Sequence, residues 1–353
     1  MKALILAGGK GTRLRPITFS MAKQLVPVAN RPVVEYGIMS IAEAGVTDFG
    51  IIIGDTGEEV KACLGDGSQF GIKITYIPQP APLGLAHAVT TARDFLGDDD
   101  FIMYLGDNLI KSSIGGLKDE FEKHRPAATI LLTEVPNPWE FGVAEMSGNE
   151  VIRLEEKPKE PKSNLALVGV YLFDKRIHDS IGRLKPSWRG EYEITEAIQG
   201  LIDAGLQVRS HIVEGYWKDT GTVEAMLDAN RLVLEDIQPK MEGVNTASTI
   251  EGRVQIGKGS LIENSIIRGP VIIGENCVIK NSFIGPFTAI DSGSQVTSSE
   301  VQYSILMENV VVDSLPHRLE SSLIGRGVSV TKANSAPRSL TLVMGDNSSA
   351  IIP

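Results

Sequence analysis

At 353 residues the chain is longer than the roughly 250–300 residues at which single cores stop growing, so two domains are expected. A hydrophobic share of 42% and a charged share of 22% fit a soluble globular protein, and a net charge of −10 argues against a nucleic-acid partner. With two cysteines, Cys63 and Cys277, the chain has neither a disulfide scaffold nor a Cys-rich metal site.

Residues 2–6 form a short apolar run that Gly8-Gly9 ends too early for a signal peptide. No segment approaches the roughly 20 apolar residues of a membrane span, so a cytoplasmic protein without a membrane partner is expected. Residues 33–44 (VVEYGIMSIAEA) have helical spacing and stop at Gly45, Asp48–Ile53 reads as a second strand, and residues 84–95 (GLAHAVTTARDF) read as one helix. Phe101–Leu105 is a third strand, stopped by Gly106-Asp107-Asn108. Strands alternating with helices predict an α/β domain with a mixed, mainly parallel sheet over residues 1–235. Ligands of such sheets sit beyond the carboxyl ends of the strands, where Gly8 and Asp107 fall.

Residues 236–243, with Pro239, read as a linker, and from 244 to 353 the period changes. Small apolar residues recur every six positions as Val244, Ile250, Ile256 and Ile262, then Ile267, Ile273 and Ile279, then Ile284, Ile290 and Val296. Hexapeptide periodicity of this kind signals a parallel β-helix of about five coils, with residues 313–331 less regular and without a readable phase. The repeat fits support of assembly as a homo-oligomer. Acyl transfer in such helices usually needs a histidine, and His317 is the only one after residue 244.

The run Leu6-Ala7-Gly8-Gly9-Lys10-Gly11-Thr12-Arg13-Leu14 follows the first strand directly. Glycines let a backbone approach phosphate closely, Arg13 adds a planar donor fork, and Lys23-Gln24 follow ten residues on. The run is neither a dinucleotide-binding fingerprint nor a P-loop. Asp107 in LGDN and Asp219 in WKDTG are candidate ligands for Mg²⁺, although both also suit ordinary turns. None of His87, His124, His178, His211 and His317 shows ligand or catalytic spacing, and none receives a role.

The run LAGGKGTRLRPITFSMAKQLVPV resembles the signature of the sugar-1-phosphate nucleotidyltransferases. The likeness continues through Gln79–Ala86 (QPAPLGLA), LGDN, EEKP, RGEYEIT and WKDTGT, and covers essentially the whole chain. It is nearest to the long members that transfer thymidylate to glucose 1-phosphate and carry a C-terminal left-handed β-helix. The resemblance implies dTTP or UTP and glucose 1-phosphate as substrates, pyrophosphate as co-product, Mg²⁺ as cofactor, and a place in activated-sugar biosynthesis of the deoxysugar type. It places Leu6, Gly8, Gly9, Gly11, Thr12, Arg13, Gln24, Gln79, Gly84 and Asp107 at the nucleotide. It places Asn108, Gly142, Glu156, Lys157, Val168, Arg189 and Trp217 at the sugar phosphate, Asp107 and Asp219 on the metal, and Arg13, Lys23 and Lys157 in catalysis. Phe141 stands where similar enzymes commonly have Tyr, which removes one hydroxyl contact. Thymine and uracil differ by a methyl group worth about 1–3 kcal/mol in an apolar pocket, so the residues leave both bases open. Uridylyl transfer to an N-acetylhexosamine 1-phosphate, or nucleotide binding without turnover, are the alternatives.

Overall fold

Lys2–Ala7 carries no polar residue after Lys2, and its last five residues are buried. Such a run suits a central strand covered on both faces, and it pairs in parallel with both Asp48–Ile53 and Phe101–Leu105. In this computed structural model, which describes residues 1–332 apart from Ser112 and Asn149, these strands belong to a nine-stranded sheet. Its order is Lys73–Pro78, Asp48–Ile53, Lys2–Ala7, Phe101–Leu105, Leu165–Phe173, Ala128–Glu134, Val208–Ile212, Glu150–Glu156 and Gly142–Ser147. Leu165–Phe173 runs antiparallel to both its main neighbours, and Glu150–Glu156 runs antiparallel to Val208–Ile212, so the sheet is mixed and mainly parallel, as expected.

The helix expected over residues 33–44 forms as Val33–Glu43. Gly37 lets it press onto Tyr104, since a Cβ there would lie 2.5 Å from the ring. The helix expected over 84–95 is two helices, Leu85–Thr91 and Arg93–Leu96, broken at Ala92. The Thr90 and Thr91 hydroxyls donate back to the carbonyls of Ala86 and His87, a side-chain competition that bends helices and that an apolar pattern does not register.

The described chain falls into two compact units. The first comprises Met1–Lys10, Met21–Leu25 and Val33–Asp219, and the second comprises Gly11–Ser20, Val26–Pro32 and the chain from Thr220 onward. By contacts, the helix Val223–Leu234 therefore goes with the C-terminal half, although the sequence pattern groups it with residues 1–235.

In the second unit, short strands stack into three parallel sheets of six, six and five strands, an arrangement consistent with a left-handed parallel β-helix. The predicted phase holds: Ile250 stacks on Ile267 and Ile284, Ile256 on Ile273 and Ile290, and Ile262 on Ile279 and Val296. Val244 departs from it. The residue stacked on Ile262 is Asn245, and Val244 is 60% exposed, because strands 17 residues apart set the register and not the six-residue step. Lys240–Met241 already pairs with Gln255–Ile256, so stacking begins within the stretch that reads as a linker. Residues 313–331 also continue the stack, through Leu319–Glu320, Leu323–Ile324 and Ser329–Thr331. Their phase is hidden because the spacing shortens to 16 between Ala289 and Ile305, then lengthens to 18 between Val301 and Leu319. The rest of the predicted segment, residues 333–353, lies outside the described residues.

Candidate active site

The loops that follow the parallel strands of the first unit meet at the sheet's carboxyl edge. Gly8 and Gly54 pass backbone against backbone: a Cβ on Gly54 would lie 2.9 Å from the Gly8 carbonyl oxygen, and one on Gly8 would lie 3.4 Å from Gln79 Oε1. A Cβ on Gly9 would lie 2.8 Å from Lys23 Cε, so that glycine gives the lysine room to cross the loop. Lys23 Nζ makes an ion pair with Asp107 Oδ2. Gln24 is almost wholly buried beside Gly9 and Gly106, and among the described residues its Oε1 accepts no hydrogen bond. A buried acceptor of this kind suits a ligand hydroxyl or amide.

Asp107 and Asn108 follow Phe101–Leu105 and are both buried. Tyr104 Oη donates to the Asn108 carbonyl at 2.9 Å, and Trp217 Nε1 donates to Asn108 Oδ1 at 2.5 Å. The strand Trp217–Asp219 pairs antiparallel with Asn108–Ile110, with Asp219 opposite Asn108. Two aspartates more than a hundred residues apart are thereby set at adjoining positions. No group of three or more His, Cys, Asp or Glu among the described residues could hold a metal. Two hard carboxylates fit Mg²⁺ nonetheless, because that ion takes its remaining ligands from phosphate and water.

A second cluster gathers around Glu156. Gly142 pairs with Glu156 across the hairpin, and a Cβ at Gly142 would lie 2.5 Å from Thr195 Cγ2. Thr195 Oγ1 donates to Glu156 Oε2 at 3.0 Å, and Arg189 lies 3.5 Å from Glu156, 3.1 Å from Glu191 and 3.4 Å from Glu193. Burial pushes the Glu156 carboxyl above its ordinary range, and the nearby Glu193 charge adds to this; Thr195, Lys157 and Arg189 oppose it. The strand ends at Glu156, and Lys157 enters the left-handed region at φ 45° while its N–H donates to the Phe141 carbonyl at 3.0 Å. Strict strand alternation therefore does not fix Lys157 on the face opposite Glu156. Phe141 packs edge-on against Trp217 at 5.4 Å.

Other expected residues are set by different parts of the chain. The Leu6 side chain is in the core, and its carbonyl accepts from Gly106 N–H. Val168 is buried within an irregular part of its strand, leaving only its main chain to serve a ligand. The chain crosses into the second unit at Gly11, so Gly11, Thr12 and Arg13 are built there. Gly11 has φ 59°, and its carbonyl accepts from Leu14 N–H at 3.0 Å and Thr18 Oγ1 at 2.6 Å.

The sequence reading missed His87, Tyr192 and Thr195. Gln79 Nε2 lies 2.9 Å from His87 Nδ1, and Tyr192 N–H donates to the Leu83 carbonyl at 2.8 Å. A signal was present: the QPAPLGLA motif stops one residue short of His87, and the RGEYEIT motif contains Tyr192 and Thr195.

The nucleotidyl transferase family profile matches residues 2–236. The chain is 53% identical to a glucose-1-phosphate thymidylyltransferase of Streptomyces griseus over 354 aligned residues, covering 100% of this chain and 99% of that relative. It is 54% identical to a second, from Streptomyces antibioticus, over 99% of this chain and 98% of the relative. Among solved structures, a Bacillus anthracis protein provisionally assigned the same activity and crystallised with sucrose matches with a TM-score of 0.64 at 38% identity. That match covers 68% of this chain and 98% of the other.

Proposed function

The chain belongs to the nucleotidyl transferase family, and on that premise we propose that it transfers thymidylate from dTTP to glucose 1-phosphate, giving dTDP-glucose and pyrophosphate. UTP serves as a slower second nucleotide. The observation that carries this reading is the placing of Asp219 opposite Asn108, next to Asp107 and the Lys23 ammonium. That arrangement suits a highly charged triphosphate better than a neutral ligand.

The sugar phosphate, with a second pKa of about 6, is largely a dianion at pH 7 and needs no general base. The obstacle is bringing it to the α-phosphate of another anion. Arg13 and Lys23 offset the triphosphate charge, while Lys157 and the planar fork of Arg189 hold the sugar phosphate. Glu156 accepts from sugar hydroxyls, with Gly142, Val168, Asn108 and Trp217 lining the sugar, and Gln79 and Gly84 read the base. One phosphate oxygen then attacks the α-phosphorus in line as the bond to the pyrophosphate oxygen breaks, a reaction run by positioning and charge. Mg²⁺ on Asp107 and Asp219 would supply further charge neutralisation.

Residues 1–235 serve as the catalytic domain of a cytoplasmic enzyme of activated-sugar biosynthesis, and the β-helix supports a homo-oligomer without chemistry of its own. Pyrophosphate release measured with a panel of triphosphates and hexose 1-phosphates tests this. The dTTP and glucose 1-phosphate pair is expected to be fastest, and Asp107→Asn and Asp219→Asn are each expected to abolish release while the chain stays folded. A strong preference for ATP, GTP or UTP, or near-normal rates in both variants, would overturn the reading.

A further inference from the structure

We propose that His87 is a positioning residue for base recognition, holding the Gln79 amide in the orientation that pairs with thymine or uracil and not with cytosine. The proposal rests on the reading of Gln79 as the base-reading side chain.

An amide presents one acceptor oxygen and two N–H donors, and a half-turn exchanges their places. His87 Nδ1 lies 2.9 Å from Gln79 Nε2, so with the ring proton on Nε2 the bare imidazole nitrogen takes one amide hydrogen and sets which end faces the ring. The amide oxygen then faces the turn after the first strand, where it lies 3.4 Å from the position a Cβ on Gly8 would occupy. What remains for a ligand is that oxygen and one N–H. Thymine and uracil offer an N3–H donor beside the O4 acceptor, which complements this pair. Cytosine offers an N3 acceptor beside an amino donor, which a reversed amide would complement. The direction of one amide thus decides between two classes of pyrimidine.

The imidazole is itself held. It stacks on Tyr192 with the ring planes 25° apart and the centroids at 6.4 Å. The Tyr192 main chain brackets the loop, donating to the Leu83 carbonyl at 2.8 Å and accepting from Ala86 N–H at 3.1 Å. Gly84, at φ 105°, passes so close that a Cβ would lie 2.5 Å from the Tyr192 carbonyl oxygen. His87 also sits on the first turn of Leu85–Thr91, and a helical position fixes its ring better than a loop would. Tyr192 lies three residues from Arg189 and three from Thr195, so the stretch that orients the base reader also carries groups at the sugar-phosphate cluster.

The test uses the full chain, with kcat and KM measured for dTTP and dCTP at saturating glucose 1-phosphate. His87→Leu removes the acceptor, His87→Asp places an acceptor-only carboxylate oxygen near the Nδ1 position, and Gln79→Leu removes the reader. His87→Leu is expected to lower the dTTP-over-dCTP ratio of kcat/KM roughly tenfold, through KM for dTTP with kcat retained, the scale of one lost hydrogen bond. His87→Asp is expected to restore most of that ratio, since its charge acts on both nucleotides alike. If Gln79→Leu collapses the ratio and His87→Leu leaves it unchanged, the positioning role is overturned and the reading of Gln79 stands. An unchanged ratio in Gln79→Leu overturns both. If His87→Asp has as low a ratio as His87→Leu, or has a low ratio where His87→Leu does not fold, the ring acts by packing and the proposal fails.

Discussion

Glu156 is held above its ordinary titration range mainly by burial, and that has a consequence for stability with a definite sign. A carboxyl whose folded-state pKa is raised favours the fold when protonated, so its unfavourable contribution is full above the raised value. It fades as pH falls toward the ordinary value of 4.5. Glu156→Gln is therefore expected to be at least as thermostable as the parent at pH 7, with the gap closing as pH falls toward 4.5. Thermal midpoints across that range check the sign, and a variant less stable at pH 7 than at pH 4.5, relative to the parent, would contradict it. The same variant is expected to raise KM for the sugar phosphate, because a carboxamide is a weaker acceptor than a carboxylate.

At the scale of the element, the β-helix is held by a column of serines as well as by its apolar interior. Ser265 N–H donates to Ser248 Oγ, Ser282 N–H to Ser265 Oγ and Ser299 N–H to Ser282 Oγ, while each of these hydroxyls donates in turn to a carbonyl. Each serine thus satisfies a backbone N–H one coil along. Corner residues at φ between 46° and 51°, namely Ala247, Asn264, Asn281 and Ser298, bring the chain round beside that column, and Asn is well suited to the left-handed region. Ser282→Ala leaves the Ser299 N–H buried without its acceptor, at a cost of about 1–3 kcal/mol. The denaturant midpoint of the variant is expected to fall accordingly. An unchanged midpoint would show that water or backbone movement replaces the hydroxyl.

At the scale of the whole molecule, the second unit ties distant stretches of chain together. Asn230, wholly buried on the Val223–Leu234 helix, accepts from Ala29 N–H at 2.9 Å and donates to the Phe287 carbonyl at 3.0 Å. Asn30 Nδ2 donates to the Ile290 carbonyl at 2.8 Å, and Ile17 Cδ1 comes within 3.9 Å of where a Cβ on Gly325 would lie. The stretch carrying Gly11, Thr12 and Arg13 therefore belongs to the body of which the coils are part. Asn230→Leu strands a buried donor and a buried acceptor, each costing about 1–3 kcal/mol. Its thermal midpoint is expected to fall, and an unchanged midpoint would show that water or backbone movement replaces the amide. Removing residues 244–353 deletes Phe287 and Ile290 as acceptors, so only residual nucleotidyl transfer is expected of the shortened chain.

Local chemistry was legible in the sequence wherever the relevant signal lies along the chain. Hydrophobic period distinguished the α/β half from the six-residue coils, because one residue in six must enter a triangular interior whatever surrounds it. The resemblance in LAGGKGTRL, LGDN and WKDTG named Asp107 and Asp219 as a pair. What tertiary structure alone decided is what depends on distance between remote segments: Asn108 facing Asp219, His87 holding Gln79, Tyr192 bracketing Gly84, and Thr195 reaching Glu156. It also decided that the loop from Gly11 to Ser20 joins the C-terminal body, and that Val244 faces out. The physical reason is the same in each case. A side chain's partner is set by sheet order and coil register, which bring together residues that no local pattern relates.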